Sequence, residues 1–468
     1  MALNAAAGVG LDAETRNFLV VSAANTSKIG AFDVAGSDTS AAYGLAHAPG
    51  LAPTAPFQRA SARAADRHLA FRRAESRDLA TLVRSPRRRL LQSQPLVLGD
   101  TLKLWVIKEF LEDDFDEVQV TAEVAVVGQH CLIALDQAAT QSASRRQALR
   151  LRAQEVAEAF DRTIYPTTTR IFGSEPKPGV DGDERVMILF SPAVGNYGKD
   201  TTLGYFSQRD AFAPDPRAGG KLARSNAREL LYVSSQILLQ GGPQDYLGTI
   251  AHEFQHMINF NQKVLLGKQR TSEDLWIDEG MAMYAIEANG YGLKAGGTVL
   301  ANHVKQFQKE PDAYSLSDWD GNPQGIGYGP VYLLVVYLAD HFGEDLIKAI
   351  VTSPKVGVGN VSDMLQKRGA NLAGVIHDWA LANLLDGDES VSDPRYQYQS
   401  LAMRGANGMT NLSGFTTSTI RLPTRLRVSG RPLNVRYYRL EDGVLAPRFT
   451  ITGASGASVQ PWPRLVLP

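Results

Sequence analysis

The stretch His252-Glu253-Phe254-Gln255-His256 constrains this chain more than any other. On an α-helix, residues four apart share one face, with Cβ atoms roughly 6 Å apart. His252 and His256 can therefore reach the same metal ion. Glu253 is turned about 100° from His252, which sets it beside such an ion and not on it. Leu247, Ile250, Ala251, Phe254, Met257 and Ile258 recur at three- and four-residue steps, the pattern of an amphipathic helix. Gly241, Gly242 and Pro243 break the chain just before it, and Asp245 is a candidate cap. So apolar a helix is expected to be buried, and imidazoles and a carboxylate in a buried place need partners.

About twenty residues on comes Trp276-Ile277-Asp278-Glu279-Gly280-Met281-Ala282. With Glu279 as a third donor, the set matches a catalytic site for one Zn2+ ion, held by His252, His256 and Glu279 with water in the fourth position. Zinc lowers the pKa of a bound water towards about 7, and a carboxylate placed like Glu253 can take its proton and pass it to a leaving amine.

In these two segments the chain resembles the gluzincin metallopeptidases, whose third ligand is a Glu on a later helix. W-x-x-E-G-x-A looks like the third-ligand helix of the aminopeptidase-N type. The wider pattern, HEFQHMINFNQ followed by EDLWIDEGMAMYA, looks most like the hyicolysin-type bacterial metallopeptidases. The resemblance implies zinc ligands at His252, His256 and Glu279 and a general base at Glu253. It also implies a secreted or cell-envelope enzyme that acts on protein or peptide substrates. It runs from roughly residue 150 to 385 and is weak outside that range.

Two neighbouring schemes do not fit. A metzincin needs H-E-x-x-H-x-x-G-x-x-H, but Asn259 and Gln262 hold the Gly and third His positions. The thermolysin type has Asn-Glu-Ala around its third ligand, where this chain has Asp278-Glu279-Gly280. The aminopeptidase type carries a G-x-M-E-N stretch that holds the substrate amino terminus. No Met-Glu-Asn occurs in this sequence, which favours an endopeptidase. A gluzincin aminopeptidase and a non-catalytic zinc-binding scaffold stay open as alternatives; the intact Glu253 argues against the scaffold, which would need the ligands but not the base.

Peptide hydrolysis puts negative charge on the former carbonyl oxygen, which needs a hydrogen-bond donor beside the metal. Tyr328 precedes an apolar helical run that ends near Phe342-Gly343. In the aminopeptidase-type gluzincins a catalytic Tyr opens the equivalent helix, before a Lys-Gly pair. This chain has Pro330-Val331 there. Tyr328 is the first candidate and Tyr332, one turn on, the second.

Arg185–Phe190 and Arg228–Ser234 read as buried strands, and 203–206 as a weaker one. Either 203–206 or 229–234 is expected to offer the edge along which a peptide adds as an extra strand. Val180-Asp181-Gly182-Asp183-Glu184 carries only part of a calcium-loop pattern, so it reads as a turn and Ca2+ is without support. His47, His68, His130, His303, His341 and His377 show no metal spacing.

The 468 residues leave room for two to four domains, and the formal net charge of -1 gives no global pull towards nucleic acid or membrane. No apolar run is long enough for a membrane span. Cys131, the single cysteine, lies in an apolar stretch and reads as a buried thiol, which rules out an intrachain disulfide. The start, Met1-Ala2-Leu3-Asn4, does not have the charge and apolar run of a secretion signal. Nothing in the sequence fixes the oligomeric state.

The expected fold is α+β, a zincin-like catalytic domain of a small mixed sheet plus helices with a helical C-terminal subdomain, flanked by β-rich N- and C-terminal domains. Residues 1–56 read as a flexible or β-type segment. Residues 57–140 combine an arginine-rich linker, with Arg59, Arg63, Arg67, Arg72, Arg73, Arg77, Arg84, Arg87, Arg88 and Arg89, and a small β domain. That arginine run is expected to be a solvated helix face, with a basic patch or an exposed cleavage site as the functional reading. The metallopeptidase domain is expected over 141–388, opening with a helix at Ser142–Phe160. Short Val-, Ile- and Tyr-rich runs cut by Gly and Pro make 389–468 a C-terminal β domain.

Overall fold

Near the N-terminus come three strands, β1 (Ala2–Leu3), β2 (Phe18–Ala23) and β3 (Phe32–Asp38), and then a nine-residue helix, α1, at 71–79. The computed structural model describes residues 71–79, 95–110, 115–195, 203–215, 222–319, 327–389, 391–421 and 433–440, with strand backbones at 2–3, 18–23, 32–38, 424–428, 447–452 and 461–466. The arginine run outside 71–79 lies outside the described residues.

The central sheet is built from β4 (Thr101–Phe110), β5 (Phe115–Val127), β6 (Cys131–Asp136), β7 (Val186–Ser191), β8 (Gly204–Phe206) and β9 (Leu230–Ser234). Among the described residues its order is β4-β5-β6-β7-β9-β8. The middle strands β6, β7 and β9 run parallel, whereas β4, β5 and β8 are antiparallel to their neighbours. Strands covered on both faces should be apolar throughout, and β6, β7 and β9 are buried at every position. The strands at 101–136, read from the sequence as part of a small β unit, therefore share one sheet with those at 186–234. Of the two candidate edges, 204–206 lies at the end of the sheet and 230–234 lies inside it.

The first helix after the sheet begins, α2 (Ala143–Ala159), is capped by Ser142, which accepts from Arg145 N, and runs through a wide turn at Phe160–Ile164 into α3 (Tyr165–Phe172). After α4 (Ser235–Gln240) comes the site helix α5 (Pro243–Phe260). Its start differs slightly from the sequence reading. Gly242 is the N-cap and Pro243 opens the helix; Asp245 sits in the first turn and accepts from Gly242 N at 3.1 Å. Pro at the first helical position loses no hydrogen bond, and an acid in that turn meets the positive helix end.

Helix α5 lies on the sheet beneath β8 and β9, buried from Asp245 through Phe260 apart from Thr249. Phe254 packs between Phe160, 5.1 Å away between ring centres, and Tyr165, 5.8 Å away. The next helix, α6 (Leu275–Ala288), packs on α5 and is followed by α7 (Thr298–Lys309) and α8 (Tyr328–Phe342). Gly280 permits a close crossing of α6 and α8. A Cβ there would stand 3.2 Å from Val331 O and 3.2 Å from Val335 Cγ2.

The apolar run ends at Phe342-Gly343, where the sequence placed its end; Gly343 has a φ of 78° that suits glycine, and α9 (Glu344–Thr352) follows as a separate helix. Helices α10 (Gly357–Gln366) and α11 (Leu372–Leu385) complete the helical half.

The C-terminal strands are β10 (Arg404–Asn407), β11 (Thr410–Ser413), β12 (Ser418–Ile420), β13 (Thr424–Val428), β14 (Asn434–Leu440), β15 (Pro447–Thr452) and β16 (Pro461–Val466). β10 and β11 pair with each other, and the remaining five interleave with the N-terminal strands in two sheets, ordered β1-β15-β3-β13 and β12-β14-β2-β16.

Truncating Phe254 would open a cavity at the junction of α2, α3 and α5. Phe254→Ala is expected to cost about 3–5 kcal/mol, measured as a lowered midpoint in urea unfolding of the full chain.

Candidate metal centre

On α5, the four-residue step brings His252 Nε2 and His256 Nε2 to 3.0 Å from each other. From α6, Glu279 sends Oε2 to 3.4 Å from His252 Nε2 and 3.5 Å from His256 Nε2. Among the described residues, this is the group of three donors that could hold a metal ion. Tetrahedral donors about 2.0–2.1 Å from zinc stand roughly 3.3 Å apart, so the observed triangle has the right size. His256 Nδ1 lies 3.1 Å from Asp278 Oδ1. A carboxylate there keeps the proton on Nδ1 and turns the Nε2 lone pair towards the other donors. Asn259, one turn further along α5, donates to the same Asp278 oxygen.

The electrostatics also call for a cation. Glu253 and Glu279 are buried, and Asp278 is half-buried beside them. Burial and the charge of Arg72 push the His256 imidazole down, but Asp278 and Glu279 outweigh them and carry it up to about 10. His252 goes the other way, pushed down first by burial, with Glu279 opposing. Asp278 and Glu279 thus favour positive charge at His256, and a metal ion on its Nε2 would answer the same carboxylates with the ring neutral.

Glu253 is held on the sheet side of the site. Its Oε2 accepts from Phe206 N at 2.9 Å, on the edge strand β8. Gly204 allows this approach, since a Cβ there would meet Thr249 Cγ2 at 2.7 Å and Tyr232 O at 2.8 Å.

Tyr328 opens α8, buried, with its ring 4.9 Å from that of His303 and 6.1 Å from that of Trp319. Burial raises its hydroxyl well above the usual tyrosine range, with a further push from Glu279 and Glu253, both of whose charges it feels. It is a neutral donor on the site's side. Tyr332, the second candidate, donates instead to Glu287 at 3.1 Å and faces away from the metal donors.

Three neighbours were not assigned from the sequence. Asp278 appeared only as a departure from the thermolysin pattern; its place just before Glu279 in the first turn of α6 was the available signal. His303, read as ordinary, lies on α7 against Tyr328; burial and then His252 push it down to about 4, so it is neutral. Arg72, grouped with a solvated arginine face, is 3% exposed and reaches Glu253 and Glu279. Phe71, Ala74, Glu75 and Leu79 form a stripe at helical spacing, which marks an amphipathic segment within the run.

The partial calcium pattern is a turn in the structure. Asp181 Oδ1 accepts from Asp183 N at 3.0 Å, and Arg228 and Arg185 pair with Asp181 and Asp183. Cys131 is buried in β6. Among the described residues, no helix is long and apolar enough to cross a membrane.

No protein-family model matches the chain. It is 28% identical over 232 residues to the neutral metalloprotease ShpI of Staphylococcus hyicus, an alignment covering 46% of this chain and 47% of that protein. The chain thus spans about half the length of the curated relative it matches.

Asp278→Asn removes the carboxylate that holds the His256 proton. Zinc affinity, from competition with a chromogenic chelator, is expected to fall about 10–100-fold with the far-UV spectrum unchanged.

Proposed function

We propose that the chain is a zinc metallopeptidase that hydrolyses internal peptide bonds of proteins, with His252, His256 and Glu279 as ligands. The reading rests above all on one observation: three donor atoms converge from α5 and α6 while an intact carboxylate, Glu253, stands beside them. A pure scaffold has no use for that fourth group. The modest likeness to a protein named as a neutral metalloprotease points the same way.

When bound, zinc supplies a Lewis acid that polarises the substrate carbonyl and acidifies water. Glu253 is the general base. It takes a proton from the attacking water and returns it to the departing amine. Its hydrogen bond from Phe206 N orients the carboxylate and ties the base to the strand along which a substrate lies. The edge strand β8 offers backbone groups for a peptide in extended form. Tyr328, kept neutral by burial, donates to the developing oxyanion. The absence of a Met-Glu-Asn stretch leaves an amino-terminal anchor without its usual residues, which favours cleavage within chains. In fold terms we read 141–388 as a zincin-like unit that takes β4–β6 into its sheet, with the strands of 389–468 forming a further β unit jointly with β1–β3.

Glu253→Gln is expected to keep one zinc per chain by elemental analysis and to lower casein hydrolysis about 10²–10⁴-fold. Unchanged hydrolysis would remove Glu253 from the mechanism, and a chain purified gently without any transition metal would remove the site. Mass spectra of the products separate internal cleavage from stepwise amino-terminal trimming. Tyr328→Phe is expected to lower kcat about 10²–10³-fold with little change in KM; an equal loss in binding of substrate and product would make it a packing residue.

A further inference from the structure

Helix α1 lies across the site, and this arrangement has no role in the proposed chemistry. Arg72 sends Nη2 to 3.3 Å from Glu253 Oε2 and Nε to 3.7 Å from Glu279 Oε1. Its Nη1 donates to Phe206 O at 3.2 Å and also meets Glu75 Oε2 at 3.3 Å. Glu75 in turn accepts from Gln208 N at 2.8 Å and Ser207 Oγ at 3.1 Å. Phe206 O lies on the edge strand and Gln208 N just past its end, at the start of a short helical turn, and an incoming peptide strand would pair with edge groups of this kind. Phe71 fixes the helix, fully buried with its ring 5.7 Å from that of Tyr205. One short helix thus covers the edge backbone and sets a guanidinium between the base and the third ligand. The two oxygens of Glu279 are divided, Oε2 towards the histidines and Oε1 towards Arg72. Arg72 therefore leaves the donor triangle intact and fills the space between Glu253, Glu279 and the backbone of the edge strand.

We infer that α1 is an intramolecular inhibitor with Arg72 as its plug, and that the enzyme is activated by excision of this segment by an endopeptidase that cuts after arginine. This inference rests on the metallopeptidase reading of the same site. The sequence supplies cleavage points on both sides of the helix, Arg59, Arg63 and Arg67 before it and Arg84, Arg87, Arg88 and Arg89 after it. Within the helix, Arg72 is buried against the site, whereas Arg73 and Arg77 are exposed and offer cuts that would break α1 itself. Cuts on both sides would free α1 and leave the N-terminal strands β2 and β3 paired with β14 and β16 and with β13 and β15.

The zinc-loaded full chain is compared intact, after limited trypsin treatment with excision of 71–79 checked by mass spectrometry, and as Arg72→Ala, on a quenched internal peptide. Excision is expected to raise kcat/KM at least 10-fold, and Arg72→Ala to raise it without trypsin. In parallel, a fluorescent synthetic peptide of residues 66–80 is titrated into the excised chain by anisotropy, a readout that needs neither turnover nor a folded Arg72 variant. It is expected to bind, and its Arg72→Ala version at least 10-fold more weakly. Equal kcat/KM before and after excision overturns the inhibition, and equal binding of the two peptides overturns the role of Arg72. If every form is inactive yet the peptide binds through Arg72, the plug stands and the peptidase reading falls.

Discussion

Three carboxylates, Glu253, Asp278 and Glu279, are brought together at the crossing of two mostly buried helices, and the centre of the molecule is arranged to neutralise them. In a low-dielectric setting, like charges this close repel strongly unless cations or hydrogen bonds answer them. The structure supplies each with a named partner. Glu253 has a backbone amide, Asp278 has an imidazole and an amide side chain, and Glu279 faces both histidines. Arg72 adds a full positive charge from a distant part of the chain. The surrounding fold serves this crossing. Gly204 lets α5 approach the edge strand, and Gly280 lets α8 approach α6, which carries Tyr328 to the site.

A like problem is solved at the far end of α5. Lys263, in the wide turn at Asn261–Leu265 that continues the helix, is buried and pairs with Glu273 at 3.1 Å. Its ammonium also donates to the carbonyls of Ile350, Ser353 and Lys355, which ties α5 to the end of α9. A buried pair of this kind is strongly destabilising to break because one charge is left unanswered. The site helix is thus fixed at both ends, by Gly242 and Asp245 at its start and by Lys263 beyond its finish.

What could be read from the sequence was what is local. The four-residue step of His252 and His256 is a property of any α-helix, so their convergence followed from spacing alone. Glu279 was found through the residues around it, and the structure sets it 3.4–3.5 Å from both imidazoles. The strands at 186–191 and 230–234 were legible because fully buried strands are apolar at every position. Long-range pairing was not legible. That 101–136 joins the same sheet, and that β2 lies between β14 and β16, depends on contacts between distant segments that leave no periodic mark. Arg72 was missed for a related reason. A buried arginine and a solvated one have the same sequence signature, and only the carboxylates it reaches, from a hundred and eighty-one to over two hundred positions away, tell them apart.

The interleaving of the chain's two ends bears on how the molecule is made. Ala23 pairs with Asn434 in β14 and with Pro461 in β16, so β2 leaves the ribosome roughly four hundred residues before its neighbours exist, and the entropy of closing so long a loop must be met before those contacts form. The central sheet and its helices draw on nearer segments and can assemble while synthesis continues. Closure of the terminal sheets therefore has to wait for the strands at 434–440 and 461–466, long after β2 and the central sheet have been made.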